Sequence, residues 1–178
     1  MRVLFDGDVW VHYGQIYVID DELPDMTAAF QGQSNGLCGG VEPGALFLMT
    51  GTHTGTLRFT IEAHDSAPPA AGDGWEEVVE TTFVPGASVS LVQWAGEQGW
   101  DLDLDPSTDY RARYCATGFG MAREPRDDHD GPAPDRYLLM FWPAVVAPDA
   151  VLRQTTPYAA YWHDWARKLP PPGRRVAV

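Results

Sequence analysis

Two histidines stand eleven residues apart, His53 in Gly51-Thr-His-Thr-Gly55 and His64 in His-Asp-Ser, on either side of an alternating segment. With acids close by, such a pair is the raw material of a metal-dependent hydrolase. Metal-binding histidines ordinarily come as H-x-H or H-x₃-H on one element, with a third ligand at a recognisable distance. Neither spacing occurs here. Two loop histidines bonded within their turns are therefore the stronger reading, and the hydrolase stands as the alternative. Asp127, Asp128 and Asp130 flank His129 in the densest acidic stretch, which lacks the alternation and distal glutamate of a calcium loop. Cys38 lies in a glycine-rich loop, but no G-x-S-x-G elbow and no named partner activates it. Gly32 to Gly44 also lacks the G-K-[ST] ending of a phosphate loop. No cofactor is expected.

What remains is acidity. Twenty-five acids face 12 bases, a formal charge of −13. Arg167, Lys168, Arg174 and Arg175 crowd the last twelve residues, leaving 8 bases against 25 acids, or −17, on residues 1–166. Nucleic acids and anionic membranes bind basic patches, so this body should repel both. Its natural counterpart is a basic protein. Trp100, Leu102 and Leu104 alternate with Asp101, Asp103 and Asp105; in a strand those carboxylates would stand roughly 6.6–6.8 Å apart. Such a spacing is close to twice the axial rise between phosphates on one DNA strand, about 3.4 Å each, so the row could occupy a basic groove meant for nucleic acid. The competing reading is an edge strand whose charges discourage aggregation. Asp101, Asp103, Asp105, Asp127, Asp128 and Asp130 are the candidate partner-binding residues.

The elements that must carry this surface read as strands. A chain of 178 residues with 44 % hydrophobic content can close a substantial core. Residues 9–20 alternate, change phase at Gly14 and read as one strand with a bulge or bend there. Residues 21–44 form a long irregular connection, of a length that is often functional. Ala45–Met49 is a short apolar run, and residues 56–63 are the cleanest half-buried strand. Residues 75–84 and 87–94 read as a hairpin about Pro85-Gly86. Residues 100–105 and 110–117 alternate as antiparallel strands. Residues 118–136 are a second long connection, and 137–142 form an apolar run covered on both sides. Thr156-Pro157 supplies an N-cap and a first-turn proline for a helix over 157–169, whose aromatic face should dock on the sheet. The expectation is an all-β, two-sheet antiparallel β-sandwich with long loops and one C-terminal α-helix, a single domain over residues 1–169, and a Pro/Arg tail at 170–178. Cys38 and Cys115 fit buried thiols better than a disulfide framework. The first residues lack a secretory apolar region, so a cytoplasmic location is expected. No run is long enough to span a membrane.

In the order Trp10-Val-His-Tyr-Gly-Gln-Ile-Tyr-Val18, Trp75-Glu-Glu-Val-Val-Glu-Thr-Thr-Phe83, Leu102-Asp-Leu, Tyr110-Arg-Ala-Arg-Tyr-Cys115 and Tyr137-Leu-Leu-Met-Phe-Trp142, the chain resembles the competence protein J family over residues 9–143. None of these motifs is catalytic. The resemblance implies a small β-sandwich that inhibits, by complex formation, a metal-dependent nuclease acting as DNA enters the cell. The 118–136 stretch and the helix at 157–169 depart from the pattern, and no inhibitory residue carries over. Together these readings predict a non-enzymatic inhibitor or immunity-type protein that neutralises a basic partner such as a nuclease or toxin. A regulatory ligand-binding sandwich using loops 21–44 and 118–136 is a further alternative.

Overall fold

A computed structural model describes residues 1–123 and 133–171. Eleven strands among them form two sheets. The strands are β1 (Arg2–Val11), β2 (Gln15–Ile19), β3 (Cys38–Gly39), β4 (Ala45–Met49), β5 (Gly55–Ala63), β6 (Glu77–Phe83), β7 (Ser90–Val92), β8 (Gly99–Asp101), β9 (Tyr110–Thr117), β10 (Arg136–Pro143) and β11 (Ala150–Arg153). The six-stranded sheet has the order β1-β5-β10-β9-β6-β11, and the five-stranded sheet β3-β4-β2-β7-β8. Two helices complete it, α1 (Met26–Phe30) and α2 (Pro157–Lys168). The all-β class with a C-terminal helix is as the sequence predicts. One pair departs from the antiparallel rule: β5 and β10 run parallel. A parallel neighbour needs a long crossover, and the chain between them, which forms β6 to β9, supplies it. No helix among the described residues is long and apolar enough to cross a membrane.

β5 behaves as its alternation demands, with Leu57, Phe59 and Ile61 buried and Thr56 and Arg58 exposed. Ala45–Met49 is buried at every position, because Phe47 also meets Phe30 of α1 at 5.7 Å, and Phe30 meets Trp165 of α2 at 5.6 Å. The 9–20 segment is not one bent strand. Its first part is the end of β1, pairing Val11 with Gly55 in the larger sheet, and its second is β2, pairing Gln15 with Met49 in the smaller. The phase change at Gly14 marks a full reversal, in which Tyr13 and Gly14 both take positive φ, 56° and 69°. That is the signature of a type I′ turn, whose twist suits antiparallel flanks.

The expected hairpin of 75–84 with 87–94 does not form either. β6 pairs with β9 and β11, whereas β7 crosses to the other sheet and pairs with β2 and β8. The Asp20 carboxylate secures the crossing by accepting Ala87 N–H at 3.0 Å and the Ser88 hydroxyl at 3.0 Å. Of residues 100–105 only the start is strand, within β8, and β8 and β9 likewise fall in different sheets. β9 is buried along nearly its whole length. Arg111, Arg113 and Cys115 lie on its outer face beneath residues 65–76 and 144–149, where the Arg113 guanidinium stands 5.1 Å over the Trp142 ring. Both arginines share the Glu80 carboxylate, at 3.0 and 2.8 Å.

α2 starts as the sequence dictates. Thr156 accepts the Ala159 N–H, and Pro157 occupies the first turn. Glu77, fully buried at the start of β6, accepts Thr155 and Thr156 backbone N–H groups and so ties this cap to the sheet. The docking seam differs from the expected aromatic face. Its deepest residues are Ala159, His163 and Ala166, with Trp162 and Trp165 flanking and Tyr161 exposed. Gly36 makes this possible: a Cβ there would sit 2.0 Å from the Trp162 carbonyl oxygen.

Candidate functional site

Asp101 closes β8, and its carboxylate accepts the Ser90 hydroxyl at 3.0 Å. The predicted strand stops there. Leu102 and Leu104 remain buried and Asp103 and Asp105 exposed, so the alternation persists beyond the end of the strand. Asp103 pairs with Arg2 of β1. Asp105 folds over its own turn, accepting the Ser107 hydroxyl and N–H and the Thr108 hydroxyl at 2.6, 2.9 and 3.2 Å. The Ser107 bonds hold this carboxyl below its ordinary value. Asp127, Asp128 and Asp130 lie outside the described residues.

Arg2 to Asp103, and Phe5 against Trp100 at 5.0 Å, join β1 to β8. These are terminal strands of the two sheets, so the acids stand along one closed edge of the sandwich. β1 adds Asp6 and Asp8, which bracket Arg58 at 2.8 and 3.6 Å. β1 starts well before the alternation expected from Val9, and Asp6, Asp8 and Trp10 already alternate with Gly7 and Val9. That period of two was the available signal.

His53 and His64 do not meet. One precedes β5 and the other follows it, and nine strand residues separate them by about 30 Å. His64 Nε2 lies 2.8 Å from Glu62 Oε2, and His53 lies beside Thr54. No group of three His, Cys, Asp or Glu side chains among the described residues could hold a metal ion. With a whole strand between them, His53 and His64 cannot share one metal ion, the arrangement on which the alternative hydrolase depends. Cys38 and Cys115 are free and buried. Burial pushes both thiols up, Cys115 to about 12, which leaves them without nucleophilic thiolate. The loop around Cys38 is wired shut: Gln33 and Asn35 side chains both donate to the Cys38 carbonyl, and Asp149 accepts the Ser34 and Asn35 N–H groups.

A second surface feature escaped the sequence reading. At the β1–β2 turn the Tyr13 ring, 54 % exposed, stacks on His12 at 4.6 Å and meets Trp94 at 5.1 Å and His53 at 5.4 Å. Trp94 begins the tight turn between β7 and β8, in which Ala95 also has φ 56°. Tyr13 and Ala95 are the non-glycine residues of positive φ among the described residues, and both belong to this cluster. Gly14 N–H donates to the His53 carbonyl at 2.8 Å, and Thr50 N–H to the Gly14 carbonyl at 2.9 Å. The loop so gripped rests on a buried base. Asp135, 1 % exposed, accepts the Thr52 N–H and hydroxyl at 2.9 and 2.6 Å and the Tyr137 hydroxyl, while Gly51 N–H donates to Tyr137 Oη. Burial, reinforced by the Asp135 charge, raises the Tyr137 phenol well above its ordinary value.

No protein-family model and no curated protein sequence matches the chain. Its fold is shared with a solved structure. ComJ, the inhibitor of the DNA-degrading activity of NucA from Bacillus subtilis, superposes with a TM-score of 0.51 at 14 % identity, over 80 % of this chain and 98 % of its own. A protein described as crocagin biosynthetic gene J gives 0.49 at 13 %, over 80 % and 97 %. At such identities the likeness speaks of fold, and at that level it agrees with the resemblance read from residues 9–143.

Proposed function

We propose that this protein works by binding: it neutralises a nuclease, or a comparable toxin, by forming a complex with it. The observation that carries this reading is the fold held in common with an inhibitor of a DNA-degrading nuclease along nearly the whole of that inhibitor. The surface is in keeping with it. A chain of −13 exposes Asp101, Asp103 and Asp105 where the β8 end lies against β1, and acids so exposed would suit a basic groove made for nucleic acid. The internal partners of these acids leave the edge negative, since Arg2 answers only one of them.

The deciding experiment is affinity purification from the native cell. A stoichiometric basic protein should be recovered, and its degradation of plasmid DNA should fall as the acidic chain is added. Recovery of a partner without nuclease activity, or a nuclease that the chain does not slow, would remove the proposal. The triple variant Asp101→Asn/Asp103→Asn/Asp105→Asn should bind that partner about tenfold more weakly at low salt, with the gap closing as ionic strength rises. Equal binding would take these three residues out of the interface.

A further inference from the structure

Tyr13 occupies a position that backbone physics reserves for other residues. The first central position of a type I′ turn favours asparagine, aspartate or glycine, and left-handed backbone at a bulky residue persists only where the surroundings enforce it and commonly marks function. Here it turns an aromatic ring outward beside Trp94, whose own turn carries the other such residue, Ala95. The buried Asp135 and Tyr137 network fixes the loop that grips both Gly14 and His53. Tyr13 and His53 are thus held outward on half-buried His12 and Trp94, an exposed ring on a fixed base, which is the property of a binding anchor.

Charge selects what it anchors. An aromatic platform would also suit a nucleobase, but a chain of −13 repels nucleic acid. Glu97 is exposed in the Trp94 turn itself, and Asp6 and Asp8 lie on the outward face of β1, two residues apart and leading to Trp10. The fold already seats guanidinium groups on indoles, Arg113 over Trp142 at 5.1 Å and Arg136 over Trp75 at 5.4 Å. Among the described residues no arginine or lysine of the chain stands over Tyr13 or Trp94.

From this geometry we infer that the Tyr13–Trp94 cluster, with His12 and His53, receives an arginine side chain of a basic protein partner, its flat guanidinium lying on the rings. The inference deepens the binding function proposed above and rests on it only for the natural partner, not for the chemistry of the anchor.

The test uses a hexa-arginine peptide titrated into the full chain, followed by the indole N–H resonances of ¹⁵N-labelled protein, with Trp94 assigned through Trp94→Phe. The Trp94 signal should shift on binding. Tyr13→Asn leaves the net charge unchanged and installs the favoured Asn-Gly turn. Its melting temperature should rise by about 2–4 °C, while its affinity for the peptide falls at least about fivefold. Hexa-citrulline and an oligothymidylate should leave Trp94 unmoved. The inference is overturned if Tyr13→Asn binds the arginine peptide like the parent, if it melts lower, or if citrulline or the oligonucleotide shifts Trp94 equally. Because no nuclease enters the experiment, its failure is separate from failure of the inhibitor reading.

Discussion

Replacing Glu80 with glutamine should be among the most damaging changes that conserve shape in this protein. Arg111 and Arg113 are 10 % and 8 % exposed, and the carboxylate between them is 13 % exposed. Each guanidinium Nε donates to a different Glu80 oxygen, at 3.0 and 2.8 Å. Their other partners are neutral carbonyls, Ala147 and Pro148 for Arg111 and Pro69 for Arg113. Glu80→Gln keeps the volume but removes the one carboxylate with which Arg111 and Arg113 form ion pairs among the described residues. Breaking a buried pair in this way costs about 3–5 kcal/mol, and at about 2–4 °C per kcal/mol for a chain of this size the melting temperature should fall by roughly 6–20 °C. Tryptophan fluorescence followed during urea unfolding measures the free-energy loss, and followed during heating the fall in melting temperature. The variant Glu80→Leu/Arg111→Met/Arg113→Met removes all three charges and should lose less than Glu80→Gln alone, because no isolated charge remains. A single variant within about 1 kcal/mol of the parent, or a triple variant weaker than the single one, would refute the reasoning.

Acid should weaken the protein through His163, which burial and the Arg167 charge hold down at about 4. The unfolded imidazole titrates near 6.5, so between those values the unfolded chain binds more protons. Stability is then full above about pH 6.5 and falls as pH drops toward 4, by about 2 kcal/mol between pH 7 and 5. Urea melts of His163→Gln at the two pH values should lack that difference, and an undiminished one would exclude His163 as its source. Gly36→Ala should cost about 3 kcal/mol, the upper end of ordinary overpacking, since its Cβ meets helix backbone at the Trp162 carbonyl and not a side chain that could turn aside. Hydrogen exchange should then rise first over residues 157–168; unchanged protection there would show that the close approach is not needed.

Local chemistry explains which elements can be read from the sequence. β5 is legible because one face is wet and one is dry, and α2 because Thr156 and Pro157 write its start. Its seam is not, because the aromatic periodicity masks a smaller series, Ala159, His163 and Ala166, whose use depends on Gly36 more than a hundred residues earlier. Pairing is harder still. Nothing in residues 75–94 says that Pro85-Gly86 hands the chain to the other sheet; that follows from where Asp20 stands. Arg111 and Arg113 read as the wet side of an alternating strand, and only Glu80 and Trp142, supplied by its two neighbours, make burial tolerable.

The candidate anchor shows the same limit in sharper form. Gly14 announces a turn at the phase change, but a type I′ turn needs two left-handed residues, and the sequence offers only one that welcomes the conformation. Tyr13 therefore reads as strand, and the reversal disappears from view. Local preference and global fold ordinarily agree, so positions where they conflict are where stability has been exchanged for something else. Tyr13 and Ala95 are two such positions in separate hairpins, and ring contacts of 5.1–5.4 Å place their turns and the His53 loop on one patch. Strain scattered at random would have no reason to converge on the same exposed aromatic cluster, whereas a binding surface that must hold its rings outward would produce that coincidence.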